Sequence, residues 1–146
     1  MKKTVVVLLA GICVCLSACS HKAGTQNNSA KCIIWNTDLV KILAQAKLER
    51  KPVMADFVSE ESEWCKKMDA EVFCDPGVVK LSQKFLNVKI DVYKTPEAVT
   101  PYGIGSLPTI LFLDRDGELL QPVVGYSETK DFKKVMSVVL RKSGTL

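Results

Sequence analysis

Apolar positions recur along this chain in two rhythms, helical stripes and short unbroken runs, and the alternation of the two outlines a fold. Leu39, Ile42, Leu43 and Ala46 fall at i, i+3, i+4 and i+7. Thr37 stands where a cap would be, and Arg50-Lys51-Pro52 stops the pattern, so a helix is expected over about 38–50. Val53 to Val58 is a short apolar run and reads as a buried strand. A helical segment follows from Ser62 or Glu63 to Phe73, broken by Asp75-Pro76-Gly77 and resumed by Val78, Val79, Leu81 and Phe85. Asn87 to Val92 reads as a second strand, and Thr95 to Gly105, with two prolines and two glycines, as a loop holding one helical turn at most. Thr109 to Leu113 is a third strand. The turn Arg115-Asp116-Gly117 leads into a fourth, about 118–124, as an antiparallel hairpin. Ser127 is placed to cap a last helix with Phe132, Val135, Met136 and Val139 on one stripe.

The resulting order, α-β-α-β-loop-β-β-α, is an α/β arrangement. A helical crossover makes the first two strands parallel, the last two form a hairpin, and helices cover both faces of a mixed four-stranded sheet. At 146 residues the chain suits a single domain, and it has no internal repeat.

The front of the chain is different in character. Met1-Lys2-Lys3 precedes the apolar stretch Thr4 to Leu16, whose ~13 residues fall short of the ~20 needed to span a bilayer core. This is the pattern of a secretory leader. Leu16-Ser17-Ala18-Cys19 resembles the bacterial lipobox, in which the cysteine becomes the lipidated first residue of the mature protein. The resemblance implies a signal peptide over 1–18, lipid on Cys19 and attachment to a membrane surface without a span. Ser20 in place of Asp implies, for two-membrane bacteria, the outer membrane facing the periplasm. Residues 19–32 read as a lipidated polar tether carrying the lone His21, and the folded domain as 33–146, with Trp35 marking its start.

Processing changes two counts. Loss of Lys2 and Lys3 brings the formal charge from +4 to about +2, too weak a balance to suggest nucleic acid. Of six cysteines, Cys32, Cys65 and Cys74 remain for the folded part. An odd number in an oxidising compartment leaves at least one thiol free or paired between molecules. Cys74 is nine residues beyond Cys65, ~13.5 Å along a continuous helix, against the ~7 Å a disulfide allows. Cys32, beside the tether, can reach another thiol, and pairing with Cys65 or Cys74 stays open. Three cysteines and a distant histidine lack the clustered spacing of a metal site, and no cofactor is implied.

Chemistry concentrates at Glu60-Glu61-Ser62-Glu63-Trp64-Cys65-Lys66-Lys67-Met68, a cysteine at a helix start just after a buried strand. Unpaired N–H groups and the positive helix end favour thiolate, as do Lys66 and Lys67, while Glu60, Glu61 and Glu63 favour thiol. With Asp56 in Ala-Asp-Phe, Glu71-Val72-Phe73, Asp75-Pro76 and Leu107-Pro108-Thr109, the run resembles the thioredoxin fold over about residues 33–142. It looks most like secreted thioredoxin-like proteins with a Cys-x-x-Cys site. Counted without a gap from Asp56, Cys65 takes the second cysteine position and Ser62 the first. A rival register, with Cys65 first and Met68 second, needs about three extra residues after the strand and spoils the match through Phe73.

The resemblance implies thiol-disulfide oxidoreductase or isomerase activity on exported proteins carrying cysteines or disulfides, with a membrane redox donor as a further partner. Serine does not ionise near neutral pH, so Ser62 is read as an N-cap accepting from the N–H of Cys65. Cys65 is the candidate reactive group, against a half-buried, weakly reactive thiol as the alternative; Asp56 is the candidate proton acceptor beneath it, against a strand-end acid with a solvent partner. Trp64 could shield the thiol, bind apolar peptide or pack beside the sheet. The family proline, here Pro108, is cis, which leaves the backbone of Leu107 free to pair with extended peptide. The alternative is a peptide- or protein-binding module without catalysis.

Overall fold

The computed structural model describes residues 32–145; the leader, Cys19 and residues 20–31 of the tether lie outside the described residues. Helix α1 (Leu39–Glu49) is followed by β1 (Val53–Val58), α2 (Glu63–Glu71), α3 (Pro76–Ser82), β2 (Leu86–Asp91) and the short α4 (Pro96–Val99). A 3-10 turn (Thr100–Tyr102), β3 (Thr109–Leu113), β4 (Leu119–Val124) and α5 (Thr129–Lys142) complete the order. The sheet runs β2-β1-β3-β4, with β1 parallel to β2, antiparallel to β3, and β3 antiparallel to β4. The mixed sheet is the one that the alternation of stripes and runs implies, and the whole is the thioredoxin fold that the family resemblance implies.

Local chemistry sets the helix ends, with two departures from the sequence reading. Asp38, rather than Thr37, caps α1 by accepting from Lys41 N at 2.9 Å. Ser127 does not cap α5; Glu128 takes the cap position without a side-chain bond, and its carbonyl accepts from Asp131 and Phe132. That shift seats Phe132 as the first core residue of the helix. The break at Asp75-Pro76 is real: Asp75 Oδ1 accepts from Gly77 N and Val78 N at 2.9 and 3.0 Å, restarting the chain as α3.

Strand alternation divides the core between the two faces of the sheet. Val53, Ala55 and Phe57 of β1 join Val88, Ile90 and Leu111 against Leu39, Ile42 and Ala46 of α1. Met54 joins Ile110 and Phe112 on the other face, against Met68 of α2, Val78 of α3 and Phe132 and Met136 of α5. Asp56 follows Met54 by two residues, so it points to the α2 face. Lys89, between Val88 and Ile90, does the same.

The packed chain begins ahead of Trp35. Ile33 is buried and its N–H donates to Phe73 O at 3.0 Å. Asn36 adds an isolated parallel bridge to Val88 at the β2 edge. Cys32 is bonded to Cys74, 42 positions on, which settles the pairing left open by the sequence. Closing a loop of that length contributes about 4 kcal/mol through the unfolded state.

Candidate functional site

The site is built where β1 gives way to α2. Ser59 turns the chain: its Oγ accepts from Glu61 N at 3.1 Å and its carbonyl from Ser62 N at 3.2 Å. Ser62 is the N-cap of α2, its Oγ accepting from Cys65 N at 3.4 Å, a contact worth ~1 kcal/mol. Cys65 therefore lies in the first turn, with Glu63 the acidic residue beside it. It is the free thiol among the described residues and only 4% exposed, more buried even than the half-buried, weakly reactive thiol that the sequence offered as the alternative.

Trp64, by contrast, is 57% exposed. Its ring stands 5.9 Å from that of Tyr126, and Lys67 Nζ lies over both, 5.5 and 4.6 Å from the ring centres. Tyr126 in turn donates to Glu71 Oε2 at 2.6 Å. Across from this cluster the Leu107–Pro108 peptide is cis. Pro108 is buried and its carbonyl accepts from Gly125 N at 2.8 Å, while Leu107 makes no backbone hydrogen bond to another described residue. Trp64, Leu107, Gly125 and Tyr126 line a pocket of about 340 Å³. Trp64 and Leu107 thus meet at one surface. Tyr126 belongs to it too, and sequence reasoning had missed it, because nothing local marks a tyrosine after the last strand.

Asp56 sits in mid-sheet with no exposed surface. Lys89 is its register partner on β2, and Nζ reaches within 3.2 Å of Oδ2, but neither carboxyl oxygen has a hydrogen-bond donor. Burial pushes the Asp56 carboxyl up to about 7, against the pull of Lys89 towards ordinary values. Lys89 also pairs with Asp69 of α2 and lies 5.0 and 5.2 Å from the ring centres of Trp35 and Phe73. Asp56 makes no hydrogen bond to Cys65; the link between them runs through Lys89, which shares a cavity wall with the thiol. Lys89 was not singled out from the sequence, although a lysine between two buried strand residues was the available signal.

Asp56 makes stability depend on pH. The unfolded carboxyl loses its proton near 3.8 and the folded one near 7, so the folded chain holds the extra proton between them. Stability is therefore greatest at the acid end and falls as pH rises through that window. We expect Asp56→Asn to gain on the wild type by roughly 2–4 kcal/mol between about pH 4 and pH 8 in denaturant titrations. A difference between the two proteins that stays constant with pH would contradict the burial argument.

Comparison with known proteins agrees with this geometry. A family model described as a thioredoxin-like domain matches residues 39–139. The thiol:disulfide interchange protein DsbD of Vibrio vulnificus is 33% identical over 84 residues, 55% of this chain. The chain spans only 14% of that relative's length. Thioredoxin-2 of Pyricularia oryzae is 30% identical over 110 residues, covering 73% of this chain and 60% of that protein. The solution structure of a thioredoxin from Thermus thermophilus superimposes with a TM-score of 0.68 at 27% identity, over 77% of this chain and 90% of the other. With the family model spanning α1 to α5, the chain belongs to the thioredoxin-like domain family.

Proposed function

We propose that this protein carries out thiol-disulfide exchange on exported proteins through a single cysteine, Cys65. The observation that carries the reading is the free thiol of Cys65 in the first turn of α2, one residue from the Trp64–Leu107 surface. The relation to DsbD and to thioredoxins supports the same chemistry.

Extended peptide lies along Leu107, with apolar side chains against Trp64 and Tyr126. The Cys65 thiolate attacks one sulfur of a substrate disulfide; a new S–S bond forms, the substrate bond breaks, and the second substrate sulfur leaves as thiolate. The proton released by Cys65 is relayed to Asp56 through Lys89 in the shared cavity wall, the raised pKa of Asp56 suiting exchange near neutral pH. A second substrate thiolate then attacks the mixed disulfide, restores Cys65 and leaves a rearranged disulfide with no net oxidation. Ser62 takes no electrons in this scheme and holds the helix start.

A non-catalytic reading, in which the Trp64–Leu107 surface only grips peptide, draws support from the 4% exposure of Cys65. Refolding of scrambled ribonuclease by the full chain separates the two. Wild type should speed recovery several-fold over buffer, and Cys65→Ala should return it to background. Background rates for both proteins would leave the binding module.

We further propose that the domain works from a membrane surface, held by lipid on Cys19 in a bacterial envelope, at the outer membrane facing the periplasm where there are two membranes. The support is the Leu16-Ser17-Ala18-Cys19 run behind a short apolar leader. Metabolic labelling with a radioactive fatty acid should mark the wild type and not Cys19→Ala. Equal labelling of both would remove the anchor.

A further inference from the structure

A cavity of about 490 Å³ opens on the flank of α2 away from the Trp64–Leu107 surface. At 100° per residue, Cys65, Lys66 and Asp69 cluster on one flank of the helix, whereas Trp64, Lys67 and Glu71 lie on the opposite one. The first three line the cavity, while the second three make the Tyr126 cluster. Cys65 is thus reached from a side that peptide on Leu107 does not occupy.

The cavity has the size and make-up of a small-molecule site, within the ~300–1,000 Å³ usual for one. Its apolar walls include Trp35, Val58 and Ile90. Three lysines, Lys66, Lys89 and Lys94, and three carboxylates, Glu60, Asp69 and Asp91, share its lining. Behind the wall, and not part of the lining, the wholly buried Asp56 is ion-paired through Oδ2 to Lys89 Nζ. Balanced charge selects against a ligand that is purely anionic or purely cationic. The pair Lys94–Glu60 lies at the open rim, where solvent screens it. It can be traded for a ligand's own ammonium and carboxylate at little cost, while Lys89 stays paired to Asp56 in the wall.

We propose that this cavity binds a zwitterionic, amino-acid-type disulfide or thiol of low molecular mass, which forms a mixed disulfide with Cys65. The proposal rests on Cys65 being the reactive thiol. Its thiolate attacks one sulfur of the small disulfide; the Cys65–S bond forms, the small S–S bond breaks, and the other half leaves as thiolate and takes up the thiol proton. Two electrons pass from Cys65 to the small disulfide. A protein thiolate that reaches the cavity mouth can then displace the small thiol from Cys65, so the ligand supplies an oxidising equivalent that a lone thiol lacks.

The test follows adduct formation on Cys65 of the full chain by intact mass. Four disulfides are compared: L-cystine (zwitterionic), cystamine (cationic), dithiodiglycolate (anionic) and 2-hydroxyethyl disulfide (neutral). Each rate is divided by that of free 2-mercaptoethanol with the same probe. Cystine should lead the other three by about tenfold, the worth of one good charged contact, and its rate should saturate with concentration. Val58→Trp, which fills the cavity, should remove the lead. Glu60→Gln, at the exposed rim and away from the core, should shift preference towards dithiodiglycolate. Equal normalised rates without saturation, or a lead unchanged in both variants, would overturn the proposal. If Cys65 still speeds ribonuclease refolding in that case, only the cavity assignment fails. If Cys65 reacts with no probe and speeds no refolding, the exchange reading fails with it.

Discussion

The bond between Cys32 and Cys74 decides what the third thiol can do. It consumes two of the three cysteines among the described residues and leaves Cys65 with no companion there. It also fixes the approach of the chain to the domain, holding Ile33 in the core and Trp35 edge-on to Phe73 at 5.0 Å. Trp35 in turn closes one side of the cavity beside Cys65 and stacks on Lys89. A covalent tie at the edge of the sheet thus shapes the surroundings of a thiol that it never touches.

Strand β1 is the second organiser. Its register sets Asp56 beside Lys89 on one neighbour and Ile110 on the other, and its end launches the turn that Ser62 caps. The strand therefore holds a buried acid and aims a helix start from one rigid element, the arrangement a reactive site needs. The acid is expensive. A carboxyl without donors in mid-sheet weakens the fold whenever it is ionised, and such cost is retained most readily where chemistry uses the group. Lys89 moderates the cost and links Asp56 to the cavity that Cys65 lines.

Features encoded locally were legible in the sequence. Hydrophobic spacing located the helices and strands to within a few residues, Asp75-Pro76 announced the break between α2 and α3, and the Ser62 cap followed from its place before Cys65. The cis form of Pro108 came from the family resemblance, since no local pattern specifies it. Features made by distant segments were hidden. Spacing along the helix argued against Cys65–Cys74, but only the folding of residues 32–36 onto the β2 edge places Cys32 beside Cys74. The same packing brings Trp35 to Lys89, and the β4–α5 connection brings Tyr126 to Trp64. At α5 the sequence offered Ser127, yet the need to seat Phe132 against Phe73 and Phe112 set the helix start one residue later.

The central claim is that one thiol, Cys65, stands alone in the site while the other two are tied together. Non-reducing peptide mapping of the protein, after alkylation in the unfolded state, tests it most directly. The account predicts a Cys32–Cys74 linked peptide, with Cys65 alkylated or carrying a releasable adduct. A linkage of Cys65 to Cys32 or Cys74 would contradict it.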